Sequence, residues 1–207
     1  MSAIFCMSDV AVVTDSTAYL PPGMADRHGV AEVPLHVVLG SRTGTAGLEV
    51  SPGDVASALA ERGQVSTSRP TPAEFAAVYR SLGVAQVVSV HLSAELSGTY
   101  DAAVLAAGEV GGEGITVRVV DSRMLAMGLG FSVVAAAQAA AAGAGVEQVV
   151  DAAVACAGRT DMVFYVDTLE FLRRGGRIGA ASALLGTALS VKPILHMVDG
   201  AIVVRDK

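Results

Sequence analysis

An α/β fold with a mainly parallel sheet is the class this sequence predicts, and three observations predict it. Short apolar runs recur along the chain, at Val10 to Val13, Val87 to Val90, Ile115 to Val120 and Met162 to Val166. Between them lie Ala- and Leu-rich stretches of helical length. The runs stop at small polar clusters: Asp15-Ser16-Thr17, Ser93 to Thr99, Asp121-Ser122 and Asp167-Thr168. Near-continuous apolar runs are the pattern of strands buried on both faces, and strands alternating with helices read as βαβ units.

Each element has its own local reason. The strand Val10 to Val13 leads to Pro21-Pro22, tolerated ahead of a short helix from Met24 to His28 that Gly29 closes. Ala31 to Leu39 places Val33, Leu35, Val37 and Leu39 at strand spacing and is expected to be one strand. Ser41 to Gly47 is expected to be loop. Ser51-Pro52-Gly53-Asp54 opens a helix that runs through Glu61 and ends at Gly63. Thr67, Ser68 and Arg69 read as a small polar loop before the helix Ala73 to Leu82. Thr71, Pro72 and Glu74 supply that helix with a cap, a first-position proline and a capping-box carboxylate.

The stretch Gln86 to Ala103 is strand, hydroxyl-rich loop and helix in succession. That arrangement aims free N–H groups and a positive dipole end at one spot, which favours a carboxylate or phosphate. Ser97 is also a preferred cap residue, so capping alone is the competing reading. Further on, helices are predicted from Met124 to about Ala142 and from Val146 to Ala157. Ile194 to His196 and Ala201 to Val204, around Asp199-Gly200, read as a hairpin.

Composition narrows the function. The 207 residues are 52% hydrophobic, contain no Trp and carry a net charge of −6. Such a chain buries a sizeable core. It lacks the basic footprint that nucleic acid demands, and it has no cationic cluster for an anionic membrane. Cys6 and Cys156 form no metal-binding or disulfide pattern, so a reduced, cytoplasmic setting, no cofactor and no metal are expected. The N-terminus has no basic region of a secretory signal. Met124 to Gly145 is uncharged and long enough to span a bilayer, but it is Ala- and Gly-rich with Ser132 and Gln138 inside it. It is expected to be a buried helix of a soluble protein, with no stable membrane insertion.

In such sheets ligands bind at the carboxyl ends of the strands, where these polar clusters gather. Five pieces of the chain also carry a resemblance: Val13 to Ala18 (VTDSTA), Thr67 to Pro72 (TSRPTP), Leu96 to Tyr100 (LSGTY), Val119 to Ser122 (VVDS) and Leu169 to Ile178 (LEFLRRGGRI). In this order and spacing the sequence resembles the DegV family of bacterial fatty-acid-binding proteins. Arg69 stands where the family usually has Gln, and the family pattern continues beyond the point that matches Lys207.

The resemblance implies a DegV-like fold. Its N-terminal lobe, 1–158, has a mainly parallel sheet flanked by helices. Residues 159–207 begin an incomplete second α/β lobe. It also implies a long-chain fatty acid in an apolar tunnel, with the carboxylate held by Thr67, Ser68, Ser97, Gly98 and Thr99, with Arg177, Asp15 and Ser16 nearby. A family His that joins this network lies in the C-terminal lobe and has no counterpart before Lys207. The implied partner is a fatty acid kinase subunit that phosphorylates the bound carboxylate to an acyl phosphate. The implied role is that of a carrier in phospholipid metabolism, without catalysis of its own.

The alternative from the residues is a hydrolase or phosphotransferase using the same crevice. For this, a Ser97–His91 pair is conceivable, although G-x-S-x-G and G-x-x-x-x-G-K-[ST] are both absent. An exposed edge of the terminal hairpin invites strand pairing, so a homodimer through it is expected.

Overall fold

A computed structural model of the protein describes residues 9–61, 63–179 and 193–206. In chain order its strands are Val10–Asp15 (β1), Val30–Val33 (β2), His36–Leu39 (β3), Arg42–Thr45 (β4), Val65–Ser68 (β5), Gln86–His91 (β6), Thr116–Asp121 (β7), Val163–Tyr165 (β8), Ile194–Val198 (β9) and Ala201–Asp206 (β10). Its helices are Met24–His28 (α1), Pro52–Ala60 (α2), Pro72–Ser81 (α3), Thr99–Gly111 (α4), Ala126–Ala141 (α5), Val146–Ala157 (α6) and Glu170–Arg174 (α7). The central sheet is parallel, in the order β2-β1-β6-β7. Two antiparallel sheets, β4-β3-β5 and β10-β9-β8, stand apart from it.

Alternation along the central strands builds two cores. Val10, Val12, Val88 and Val90 face one side and meet Leu129, Val133 and Ala136 of α5 and Val149 and Ala153 of α6. Val13, Val33 and Val87 face the other side and meet Phe75 and Tyr79 of α3 and Ala102, Ala103 and Ala106 of α4. Each buried Leu or Val stabilises the fold by roughly 1.5–3 kcal/mol through area removed from water. Helix α3 starts at the expected residues: Thr71 and Glu74 form a reciprocal capping box behind Pro72. The long uncharged stretch forms α5, packed between α6 and β1. No helix among the described residues is long and apolar enough to cross a membrane. Gly130 lets α5 approach the turn Ser16–Ala18, since a Cβ there would lie 2.8 Å from the Ala18 carbonyl oxygen.

The structure departs from the sequence expectations at four places. Ala31 to Leu39 is two strands in two different sheets, β2 and β3, separated at Pro34, which has no N–H to continue a ladder. Ser41 to Gly47 contains a strand, β4, paired with β3 across a two-residue turn whose first residue, Gly40, has φ +60°. Thr67-Ser68 is the end of strand β5, not a loop, with Ser68 opposite His36. Asp167-Thr168 follows β8 and so belongs to the antiparallel sheet β10-β9-β8 and not to a strand of the central one.

Candidate functional site

The carboxyl edge of the central sheet borders a cavity of about 530 Å3. Thr17 follows β1, Leu92, Leu96 and Ser97 follow β6, and Leu125 follows β7; all line the cavity. The β4-β3-β5 sheet and its flanks add Leu35, Val65, Ser66 and Thr67, with Leu59 from α2. The third wall is Phe171, Leu172, Arg174, Arg177 and Ile202. This wall is docked by the hairpin turn: the Ser93 hydroxyl, fully buried, donates to the Gly200 carbonyl at 2.7 Å. The lining is mostly aliphatic. Its polar side chains are the hydroxyls of Thr17, Ser66, Thr67 and Ser97 and two arginines, with no carboxylate among them.

Around Ser97 the cavity wall carries hydrogen-bond donors and a helix N-terminus. Ser97 Oγ shares a 2.9 Å hydrogen bond with Thr99 Oγ1 and accepts the Thr99 N–H at 3.3 Å. With Thr99 donating, the Ser97 hydroxyl is left to donate into the cavity, strengthened by the bond behind it. Gly98 caps α4 without a side chain, so the positive end of that 13-residue helix lies directly behind Ser97. Thr67 Oγ1 has no hydrogen-bond partner among the described residues. Arg177 donates from Nε to the Leu96 carbonyl at 2.9 Å and from Nη1 to the Gly175 carbonyl. Arg174 is paired with Glu170 at 2.6 Å.

Behind the wall runs a buried polar chain. The register that pairs Val13 with Ser89 brings Asp15 level with His91, two residues further on. His91 Nδ1 lies 2.9 Å from Asp15 Oδ2, and His91 Nε2 lies 2.7 Å from Ser89 Oγ. Ser89 Oγ accepts the Tyr79 hydroxyl at 2.9 Å. Burial pushes the Tyr79 phenol well up, so it remains a donor. With the Ser89 hydroxyl directed at His91 Nε2, His91 donates from Nδ1 to Asp15. Asp15 also accepts the Leu92 N–H at 3.1 Å, the Thr17 N–H at 3.0 Å and the Thr17 hydroxyl at 2.5 Å. Burial alone would raise the Asp15 carboxyl. The hydrogen bond and electrostatic attraction of His91, with the hydrogen bonds from Thr17 and Leu92, outweigh it and hold the group below the usual carboxylate range. This chain sets the position of Thr17 and Leu92, two residues of the cavity wall.

The expected site residues therefore take different places. Thr67, Ser97 and Arg177 line one cavity, and Gly98 and Thr99 support Ser97 from behind. Asp15 is fully buried in the wall, while the Ser16 hydroxyl accepts the Leu35 N–H at 3.0 Å and ties two sheets together. Ser68 sits at the position opposite His36 and does not line the cavity. Both ring nitrogens of His91 are engaged by Asp15 and Ser89, so His91 does not activate Ser97. Thr17, the third residue of the Asp15-Ser16-Thr17 cluster, is the member that reaches the cavity. The lining leucines carried no signal beyond ordinary apolar periodicity. Among the described residues no group of His, Cys, Asp and Glu could hold a metal ion.

Three parallel-sheet loops meeting two smaller sheets around an apolar cavity define an α/β protein with a ligand-sized pocket at its strand ends. The chain belongs to the DegV family, whose model matches residues 9–207. A DegV domain-containing protein of Streptomyces coelicolor is 55% identical over 196 residues, which are 93% of this chain and 69% of that relative. Two solved structures share the fold. The first is described as fatty acid binding of a DegV family protein from Thermus thermophilus, with TM-score 0.87 and 39% identity over 94% of this chain and 70% of that one. The second is DegV from Bacillus subtilis, described as a fatty acid binding protein, with TM-score 0.86 and 34% identity over 96% of this chain and 71% of that one.

Proposed function

We propose that this protein binds a long-chain fatty acid, with the acyl chain in the apolar cavity and the carboxylate at Thr67, Ser97 and Arg177. The observation that carries this reading is the lining itself: aliphatic walls whose polar side chains, among the described residues, are hydroxyls and arginines with no carboxylate, in a chain of net charge −6. Burying about a dozen methylenes at roughly 0.8 kcal/mol each supplies on the order of 10 kcal/mol gross. The hydroxyls then fix which end of the ligand faces out. The descriptions of the Thermus thermophilus and Bacillus subtilis relatives support the same ligand class.

The protein acts as a carrier and presents the carboxylate to a partner kinase. In this reading the partner supplies the phosphoryl donor, in keeping with a sequence that has no phosphate-cradling G-x-x-x-x-G-K-[ST] motif. Solvent extraction of the purified protein followed by mass spectrometry tests the ligand: a stoichiometric fatty acid is expected. An empty extract, together with no uptake of added oleate, would overturn the reading. Incubating the loaded protein with a fatty acid kinase subunit and ATP, and trapping acyl phosphate with hydroxylamine, tests the presentation step.

A further inference from the structure

Arg69 follows directly on β5, the strand that brings Thr67 to the cavity. Its side chain reaches across to the loop after β6 and lies on Gly98. A Cβ at Gly98 would stand 3.0 Å from Arg69 Cζ and 3.2 Å from Cδ, and would collide with Nη1. Only a glycine lets the guanidinium rest on the backbone between Ser97 and Thr99. The acid nearest in sequence is occupied elsewhere: Glu74 accepts from the Thr71 N–H and hydroxyl and pairs with His36 at 3.0 Å. Arg69 has no carboxylate partner among the described residues. On the other side, Arg177 holds the Leu96 carbonyl. The segment Leu96-Ser97-Gly98 is thus bracketed by two guanidinium groups, neither with a carboxylate partner among the described residues.

We infer that Arg69 is a second head-group cation, which makes the Ser97 end of the cavity select an ionised carboxylate over a neutral head of the same chain length. This rests on the fatty-acid reading above. Arg69 does not line the cavity, and it is exposed to solvent, so it acts through its charge beside Ser97 and its effect is modest and screened by salt.

The test compares binding of oleate and oleyl alcohol to the wild-type protein, Arg69→Gln and Arg69→Lys, at low and high ionic strength. Arg69→Gln is expected to weaken oleate binding about three- to fivefold at low salt and to leave oleyl alcohol unchanged. Arg69→Lys, which keeps the charge, is expected to restore most of the preference. High salt should shrink the difference between wild type and Arg69→Gln. An unchanged ratio of oleate to alcohol affinity in Arg69→Gln would overturn the role of Arg69 while leaving the lipid site intact. A wild-type protein that binds neither lipid would overturn the fatty-acid reading and this inference with it.

Discussion

Arg177 Nε donates to the Leu96 carbonyl at 2.9 Å, although 81 residues separate the two in the chain. The bond fastens the Gly175-Gly176-Arg177 segment onto the loop that carries Ser97. It joins the third wall of the cavity to the edge of the central sheet at the point where the polar end lies. Arg177→Ala removes both this tie and a positive charge at the cavity. Because the side chain is exposed, the change is expected to cost less than about 1 kcal/mol of stability, but to weaken fatty-acid binding several-fold. Thermal melts and a lipid-displacement titration on the same preparation separate the two effects.

Ser97→Ala deletes the hydroxyl proposed to donate to the ligand carboxylate and removes the side-chain partner of Thr99. Hydrogen bonds to charged groups contribute about 1.5–3 kcal/mol, so affinity for a fatty acid is expected to fall about tenfold or more. Binding of the corresponding methyl ester should change less. Equal affinity of the mutant and wild type for oleate would remove Ser97 from the site.

Asp15 predicts an acid limb to stability. Its folded-state pKa lies below the unfolded value, so its stabilising contribution is present above the unfolded pKa and is lost as pH falls through the folded one. Stability is expected to be level above about pH 5 and to decline below about pH 4. Glu32 works in the opposite direction, because burial and then the Asp15 charge raise it. The acid limb is therefore read as the difference between wild type and Asp15→Asn. Asp15→Asn is expected to lose about 3 kcal/mol at neutral pH and to show a shallower acid limb, measured by urea titration across pH.

The tautomer of His91 is a direct spectroscopic prediction. Nitrogen chemical shifts of the imidazole are expected to show a proton on Nδ1, held by Asp15. Tyr79→Phe removes the outermost donor of the chain and is expected to cost about 1–2 kcal/mol, with His91 keeping its tautomer through Ser89. A ring with its Nδ1 unprotonated would contradict the assignment.

Leu59 of α2 lines the cavity and is only half-buried, so a larger side chain fits there without breaking a core. Leu59→Trp is expected to fill part of the space and shift preference from octadecanoate toward dodecanoate in a competition assay. An unaltered preference would place the acyl chain elsewhere.

Much of this arrangement was legible in the residues. The apolar runs Val10 to Val13, Val87 to Val90 and Ile115 to Val120 identified three of the four parallel strands, while the similar run Met162 to Val166 forms the antiparallel strand β8. Thr71-Pro72 and Glu74 announced α3, because a capping box is satisfied within four residues of its own chain. The hydroxyl-rich loops at the strand ends pointed to the edge that borders the cavity. What stayed hidden depended on partners distant in sequence. The alternation across Ala31 to Leu39 reads as one strand until Pro34 sends its halves to different sheets. The strand Arg42–Thr45 is short and polar, and its extended form is set by pairing with β3. His91 looked like an ordinary strand end; its burial between Asp15 and Ser89 follows from the register of β1 against β6. Likewise the cavity exists because Leu35, Leu96, Phe171 and Ile202 arrive from separate elements. Local chemistry determined the elements and their caps. Which side chains face a shared space was decided by long-range pairing, because the free energy of those contacts depends on residues the local sequence does not contain.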